Sequence, residues 1–140
     1  MPALTGQVEV NLTVRDPAGS AAWYGEVLGL QPRYDHTSDD GALRYISLID
    51  PASGLVLCLV GHAANPGEPF DEVRTGLDHL EFMVKRREDL VDWSAHLDGL
   101  GIPHSGVKDL DYTANTMLTF RDPDHIQLEL FWRATPATVS

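Results

Sequence analysis

The sequence predicts an α+β fold of two tandem βαβββ modules. Three observations predict it: a period-two alternation near the start, a second one that overlays on it mid-chain, and an apolar helical stripe after each. In Val8-Glu9-Val10-Asn11-Leu12-Thr13-Val14 the valines and leucine share one side, and Glu9, Asn11 and Thr13 share the other. In Leu77-Asp78-His79-Leu80-Glu81-Phe82-Met83-Val84, Leu80, Phe82 and Val84 form the apolar side. The opposite side carries an imidazole and a carboxylate two residues apart, so both project from one surface of a sheet. Overlaid, Glu9 falls on His79, Asn11 on Glu81 and Val14 on Val84, which is an internal repeat.

Along the first module, Asp16 is placed to cap a helix that Pro17 opens, and Gly29 is placed to end it. Trp23, Val27 and Leu30, with Leu28 beside them, recur at helical spacing, and Trp23 is expected as a core anchor rather than a ligand-stacking residue. Strands are expected near Pro32 to His36 and over Leu43 to Ile49, with the Ser38-Asp39-Asp40-Gly41 turn between them. After the tight turn Asp50-Pro51-Ala52-Ser53-Gly54 comes a third, Leu55 to Val60. The first module therefore covers about residues 5–62, and the Asn-, Pro- and Gly-containing stretch 63–75 reads as a linker.

The second module, about residues 76–133, repeats the order. Leu90, Trp93, Leu97 and Leu100 make the helical stripe, closed by Gly99 and Gly101, and His96 lies off it as a surface residue. A weak strand near Ser105 to Lys108 and a better one over Thr116 to Phe120 follow, and Asp109 to Asn115 between them is a polar segment in which Tyr112 and Asn115 are weak candidates for ligand contacts. The last strand, Ile126 to Phe131, places Gln127, Glu129 and Phe131 on one side. Residues 134–140 are expected to be a frayed tail.

With 140 residues, 43% of them hydrophobic, the chain suits a single domain, residues 1–140. The longest apolar run, Leu55 to Val60, is too short to cross a bilayer, and MPALTGQVEV has neither a basic patch nor a signal-type segment. A soluble, cytoplasmic protein is the expectation, and the single cysteine, Cys58, fits a reducing compartment. A formal net charge of −11 at pH 7 excludes nucleic acid and anionic membrane as expected partners. Lys85-Arg86-Arg87 alone is too short a basic run to reverse that.

Four segments, NLTVRD, WYGEVLGL, GLDHLEFMV and FRDPDHIQLEL, together resemble the vicinal oxygen chelate superfamily, which includes glyoxalase I, fosfomycin-resistance enzymes, extradiol dioxygenases and bleomycin-binding proteins. The resemblance implies that the two sheets form a cup with the helices outside and a divalent metal inside. It implies His79 and Glu129 as metal ligands, and Glu9 at a first-module position where many members have His or Gln. Cys58 falls opposite Glu129 once a one-residue insertion in the Asp50 turn is allowed for, and a packed, buried thiol is favoured over a soft ligand there. His125 stands where the family usually has Gly, so either the turn is altered or His125 lies on a pocket rim, and an altered turn is expected.

A Glu9, His79, Glu129 set suits Mn, Fe(II), Co, Ni or Zn. The implied chemistry is chelation of two vicinal oxygens of a small-molecule substrate, with a developing enediolate or oxyanion stabilised by the ion and Glu9 or Glu129 as general base. Lyase, isomerase or epimerase activity follows. Extradiol oxygen chemistry is disfavoured, since it would need a His at Glu9. The alternative is a metal-free binding protein of the bleomycin-resistance kind, with Trp23, Trp93 and Trp132 available for a bulky cation. A homodimer is expected, and the sequence leaves open whether the site is intrachain or shared between subunits.

Overall fold

The computed structural model describes residues 1–135, so the tail expected at 134–140 lies largely outside the described residues. By its internal contacts the chain divides into two compact units, Met1–Glu68 and Pro69 onward. Each is a βαβββ module. The first runs β1 (Val10–Thr13), α1 (Pro17–Leu28), β2 (Gln31–Thr37), β3 (Leu43–Ile49) and β4 (Val56–His62). The second runs β5 (Leu80–Met83), α2 (Asp89–Gly99), β6 (Lys108–Asp109), β7 (Thr116–Arg121) and β8 (Gln127–Trp132).

The two sheets have the same topology, β1-β4-β3-β2 and β5-β8-β7-β6. In each, the first strand returns parallel to the last, and the last three strands are antiparallel neighbours. A parallel return needs a long crossover, which the helix and two hairpin strands supply.

Helix α1 starts as its sequence requires. The Asp16 carboxylate accepts a hydrogen bond from the Gly19 amide at 3.1 Å, Pro17 occupies the first turn, and Gly29 ends the helix at φ 72°. Its buried face is Ser20, Tyr24 and Val27, not the stripe centred on Trp23. Tyr24 is fully buried, and Trp23 packs edge-on against its ring at 5.0 Å from a half-buried position. The helix lies one residue further round than the spacing of the large apolar residues suggested, because the small Ser20 lets its face approach the sheet. The approach is close: a Cβ built on Gly61 of β4 would sit 2.5 Å from the Pro17 ring.

In the second module α2 buries Leu90 and Leu97, whereas Trp93 is half-buried and Leu100 is exposed. Beneath it, Thr116, Leu118, Phe120, Leu128 and Leu130 form the buried face of β7 and β8. The weak strand near Ser105 is broken in two. His104 makes an isolated bridge to Phe120, Gly106 takes φ 72°, and only Lys108–Asp109 resumes regular pairing. Ser105 bridges the gap, its amide bonded to the Thr119 carbonyl and its hydroxyl accepting from the Thr119 amide, both at 2.9 Å.

Strands β1 and β5 are shorter than their alternations. Val8 is exposed, and an open cleft of about 310 Å³ separates Gln7–Glu9 from Ser53–Val56, so pairing begins only at Val10. In β5, Gly76 at φ 150° delays pairing until Leu80.

The turn from β7 to β8 corrects the expectation for His125. It is not altered: His125 keeps the left-handed conformation, at φ 71°, that glycine would adopt without cost. The surrounding hydrogen bonds hold it there. Buried Asp122 accepts from the amides of Asp124 and Ile126 at 2.9 and 2.8 Å, and the His125 amide donates to the Asp122 carbonyl at 3.0 Å. Arg121 donates to the His125 carbonyl at 2.8 Å and pairs with Glu72 at 2.7 Å. The Phe70 amide bonds to the Asp124 carbonyl, so the later part of the predicted linker is stapled to this turn.

Three outcomes follow. Gly61→Ala forces a methyl into the Pro17 ring and should destabilise the protein by about 1–3 kcal/mol in urea unfolding. His125→Gly should stabilise it by up to about 1 kcal/mol, relief of left-handed backbone being partly offset by the greater freedom of an unfolded glycine. Glu72 is held at about 2, below its ordinary 4.5, chiefly by its hydrogen bond to Arg121. A depressed carboxylate contributes stability above its unfolded value, so this contribution should be lost as pH falls from 4.5 to about 2. Arg121→Met should flatten the stability profile in that window.

Candidate metal centre

The alternation of β5 and β8 sends every second side chain away from α2, and the register decides which of them meet. Glu81 pairs with Glu129, and Glu129 with Thr119 on its other side. Met83, Phe131 and Met117 form the adjoining row, and Gln127 pairs with Arg121 on the opposite flank. A carboxylate-bearing row thus lies between an apolar row and a cation already paired with Glu72.

His79 lies one residue before β5 and turns its ring over the carboxylate row. Its Nε2 is 3.1 Å from Glu81 Oε1 and 3.8 Å from Glu129 Oε2. One ligand atom from each of His79, Glu81 and Glu129 lies within 4.8 Å of the others. Among the described residues this is the only cluster of three or more His, Cys, Asp or Glu side chains with that geometry. Nδ1 of His79 faces Asp78 Oδ1 at 2.5 Å.

Glu129 is the buried member, its side chain only 7% exposed. Burial raises its carboxyl above the ordinary range, and the charge of Glu81 pushes the same way, with His79 opposing. The contact with Asp78 is the largest influence on His79 and raises it, desolvation opposes, and Glu81 and Glu129 add to the rise. Two carboxylates against one imidazole leave negative charge in a partly desolvated place. A divalent cation is the counter-charge this arrangement lacks, and mixed imidazole and carboxylate donors suit the intermediate transition metals. The residues fit such an ion.

The expected site residues are thus placed as follows. His79 and Glu129 come together in the second module. Glu9 belongs to the first, one residue before β1, with an exposed carboxylate whose Oε1 is 4.0 Å from Arg33. Cys58 occupies the first-module position equivalent to Glu129, since Asn11 pairs with Cys58 as Glu81 pairs with Glu129. Burial pushes the Cys58 thiol up, with a hydrogen bond from Tyr34 opposing, and Cys58 is not part of the cluster formed by His79, Glu81 and Glu129. His125 is exposed in its turn.

The sequence left Glu81 out of the ligand set and did not single out Asp78 as the partner of His79. Glu81 carried a signal, its two-residue spacing from His79, and the β5–β8 register completes it by setting Glu81 beside Glu129. Asp78 carried none, because regular alternation would send it away from His79.

Residues 6–130 match the model of the Glyoxalase/Bleomycin resistance protein/Dioxygenase superfamily. The chain is 32% identical to a glyoxylase/bleomycin resistance protein/dioxygenase domain from Frankia sp. EAN1pec, with a TM-score of 0.83 over 96% of both chains. It is 25% identical to a glyoxalase family protein from Enterococcus faecalis, with a TM-score of 0.67 over 89% of this chain and 93% of that one. The genomically encoded fosfomycin resistance protein FosX from Listeria monocytogenes, solved with Mn(II) and sulfate, shares the fold at 14% identity, with a TM-score of 0.66 over 94% of this chain and 95% of that one. A search of curated proteins gave no match. With the matched region spanning both modules, the chain belongs to the Glyoxalase/Bleomycin resistance protein/Dioxygenase superfamily.

Proposed function

We propose that the protein is a glyoxalase-like, metal-dependent enzyme that acts on a small molecule with vicinal oxygens, as a lyase, isomerase or epimerase. The observation that carries this reading is the convergence of His79, Glu81 and buried Glu129 within 4.8 Å. His79 and Glu129 would hold the ion with Glu81 beside them, and Glu9 is the further ligand proposed from the first module. When bound, a divalent ion supplies Lewis-acid stabilisation of negative charge developing on substrate oxygen.

The rest of the chemistry falls to the chain. His79 would contribute Nε2 as a ligand to the ion. Glu129, desolvated and raised, is the proposed proton acceptor, with Glu9 as the other candidate. Burial of Glu129 limits water at the proton being moved, which favours transfer within the site over exchange with solvent. The row of Met83, Phe131 and Met117 provides an apolar flank for the unreactive part of the substrate. Arg121, paired with Glu72, is not a free receptor for an anionic group. A homodimer belongs to the same proposal, and sedimentation tests it.

The experiment is a calorimetric titration of chelator-treated protein with Mn(II), alongside metal analysis of protein purified without chelator. One ion per chain is expected, and removing a direct ligand in His79→Ala or Glu129→Ala should weaken binding by more than about 100-fold. Binding needs His79 and Glu129 deprotonated, and both are shifted upward, so affinity should begin to fall above pH 6.5 as the solution is acidified, with protons released on binding. Protein that takes up no metal but binds bulky aromatic cations would replace this reading with a binding function.

A further inference from the structure

The contact between Asp78 and His79 is not a product of strand geometry. Adjacent residues of a regular strand project to opposite faces, so a carboxylate at position 78 would ordinarily point away from the ring at 79. Here β5 begins only at Leu80, and Gly76, at φ 150°, holds the entering backbone in a conformation open to glycine and costly to other residues. In the short irregular stretch between them, the Asp78 carboxylate sets Oδ1 2.5 Å from Nδ1 of the following residue. The Asp78 side chain is 75% exposed, so this orientation is not imposed by packing.

From this geometry we propose that Asp78 is a positioning residue. Its carboxylate accepts the Nδ1 proton of His79, fixing the tautomer that leaves the Nε2 lone pair free and aiming that nitrogen at Glu81 and Glu129. The inference rests on the reading that those three residues hold a divalent ion. An imidazole has two nitrogens and a neutral ring carries one proton, so the partner of one nitrogen decides whether the other can donate a lone pair. Both contacts to the ring are to carboxylates, which only accept, so Nδ1–H donates to Asp78 and Nε2–H to Glu81 in the metal-free arrangement. When an ion takes Nε2, the proton donated to Glu81 leaves and the one that remains is the Nδ1 proton held by Asp78, so the ring needs no turn to receive the ion. The carboxylate also makes the ring a stronger donor, as outer carboxylates do for ligand histidines in general. Asp78 touches neither the ion nor the substrate in this arrangement and acts through His79 alone.

The test compares wild-type protein with Asp78→Ala and Asp78→Asn in two measurements. The first is Mn(II) affinity by calorimetry: Asp78→Ala should weaken it by about 10–100-fold, and Asp78→Asn by less, because the amide oxygen still accepts from Nδ1–H. The second uses ¹⁵N shifts of the His79 ring in metal-free protein at a pH where the ring is neutral. Wild type should show the proton on Nδ1, and Asp78→Ala should shift it toward Nε2. Unchanged affinity in Asp78→Ala, or a wild-type ring protonated on Nε2, overturns the proposal. If wild-type protein binds no Mn(II), the metal-dependent reading fails, and the ring shifts still decide whether Asp78 sets the tautomer.

Discussion

The parallel pairing of β5 with β8 is the constraint on which the candidate centre depends. Residues distant in sequence are brought side by side by that ladder alone, and its register sets Glu81 against Glu129. A slip of one residue would exchange the two faces of the strand, putting Leu80 or Phe82 where Glu81 stands and a carboxylate against the helix. The apolar side of β5 opposes that slip, because Leu80 and Phe82 are half-buried beside the buried Leu128 and Leu130 and would be turned to the polar face. Hydrophobic burial on one side of the sheet thus determines which polar groups meet on the other. The energy comes from the leucines, and the chemistry is its by-product.

The first module tests this logic, because its scaffold is the same and its row is different. Asn11, Cys58 and Ser47 stand where the second module has Glu81, Glu129 and Thr119. One row carries charge that asks for a cation, and the other, with Cys58 buried and its thiol held protonated, carries none. The repeat is therefore structural rather than chemical, with the two copies sharing register and differing in what the register presents.

Much of this was legible in the sequence, for identifiable reasons. Strand alternation and helix capping are local, so α1 begins at Pro17 and ends at Gly29 as read, and β3 and β7 fall where their β-branched and aromatic residues place them. Which helical residue faces the sheet was less legible, since large residues at 23 and 24 compete and the choice of Tyr24 rests on the small Ser20 one turn earlier. The ends of β1 and β5 were misjudged because alternation continues past the last ladder hydrogen bond. His79 and Glu129 stood out as isolated chemistry on strands. Glu81 needed the register, and Asp78 needed the irregular backbone after Gly76, which no periodic pattern reports.

The topology also sets an order of events. Val10 waits for Leu57, and Leu80 waits for Leu128, before either has its neighbour. During synthesis the imidazole emerges long before the carboxylate it is to meet, and the strand bearing that carboxylate is the last piece of the module made. A half-built module holds only His79 and Glu81, too few donors to grip an ion firmly. An ion held by the proposed centre would therefore be gripped only after the final strand had docked, and a nascent chain stalled short of it would present no complete donor set.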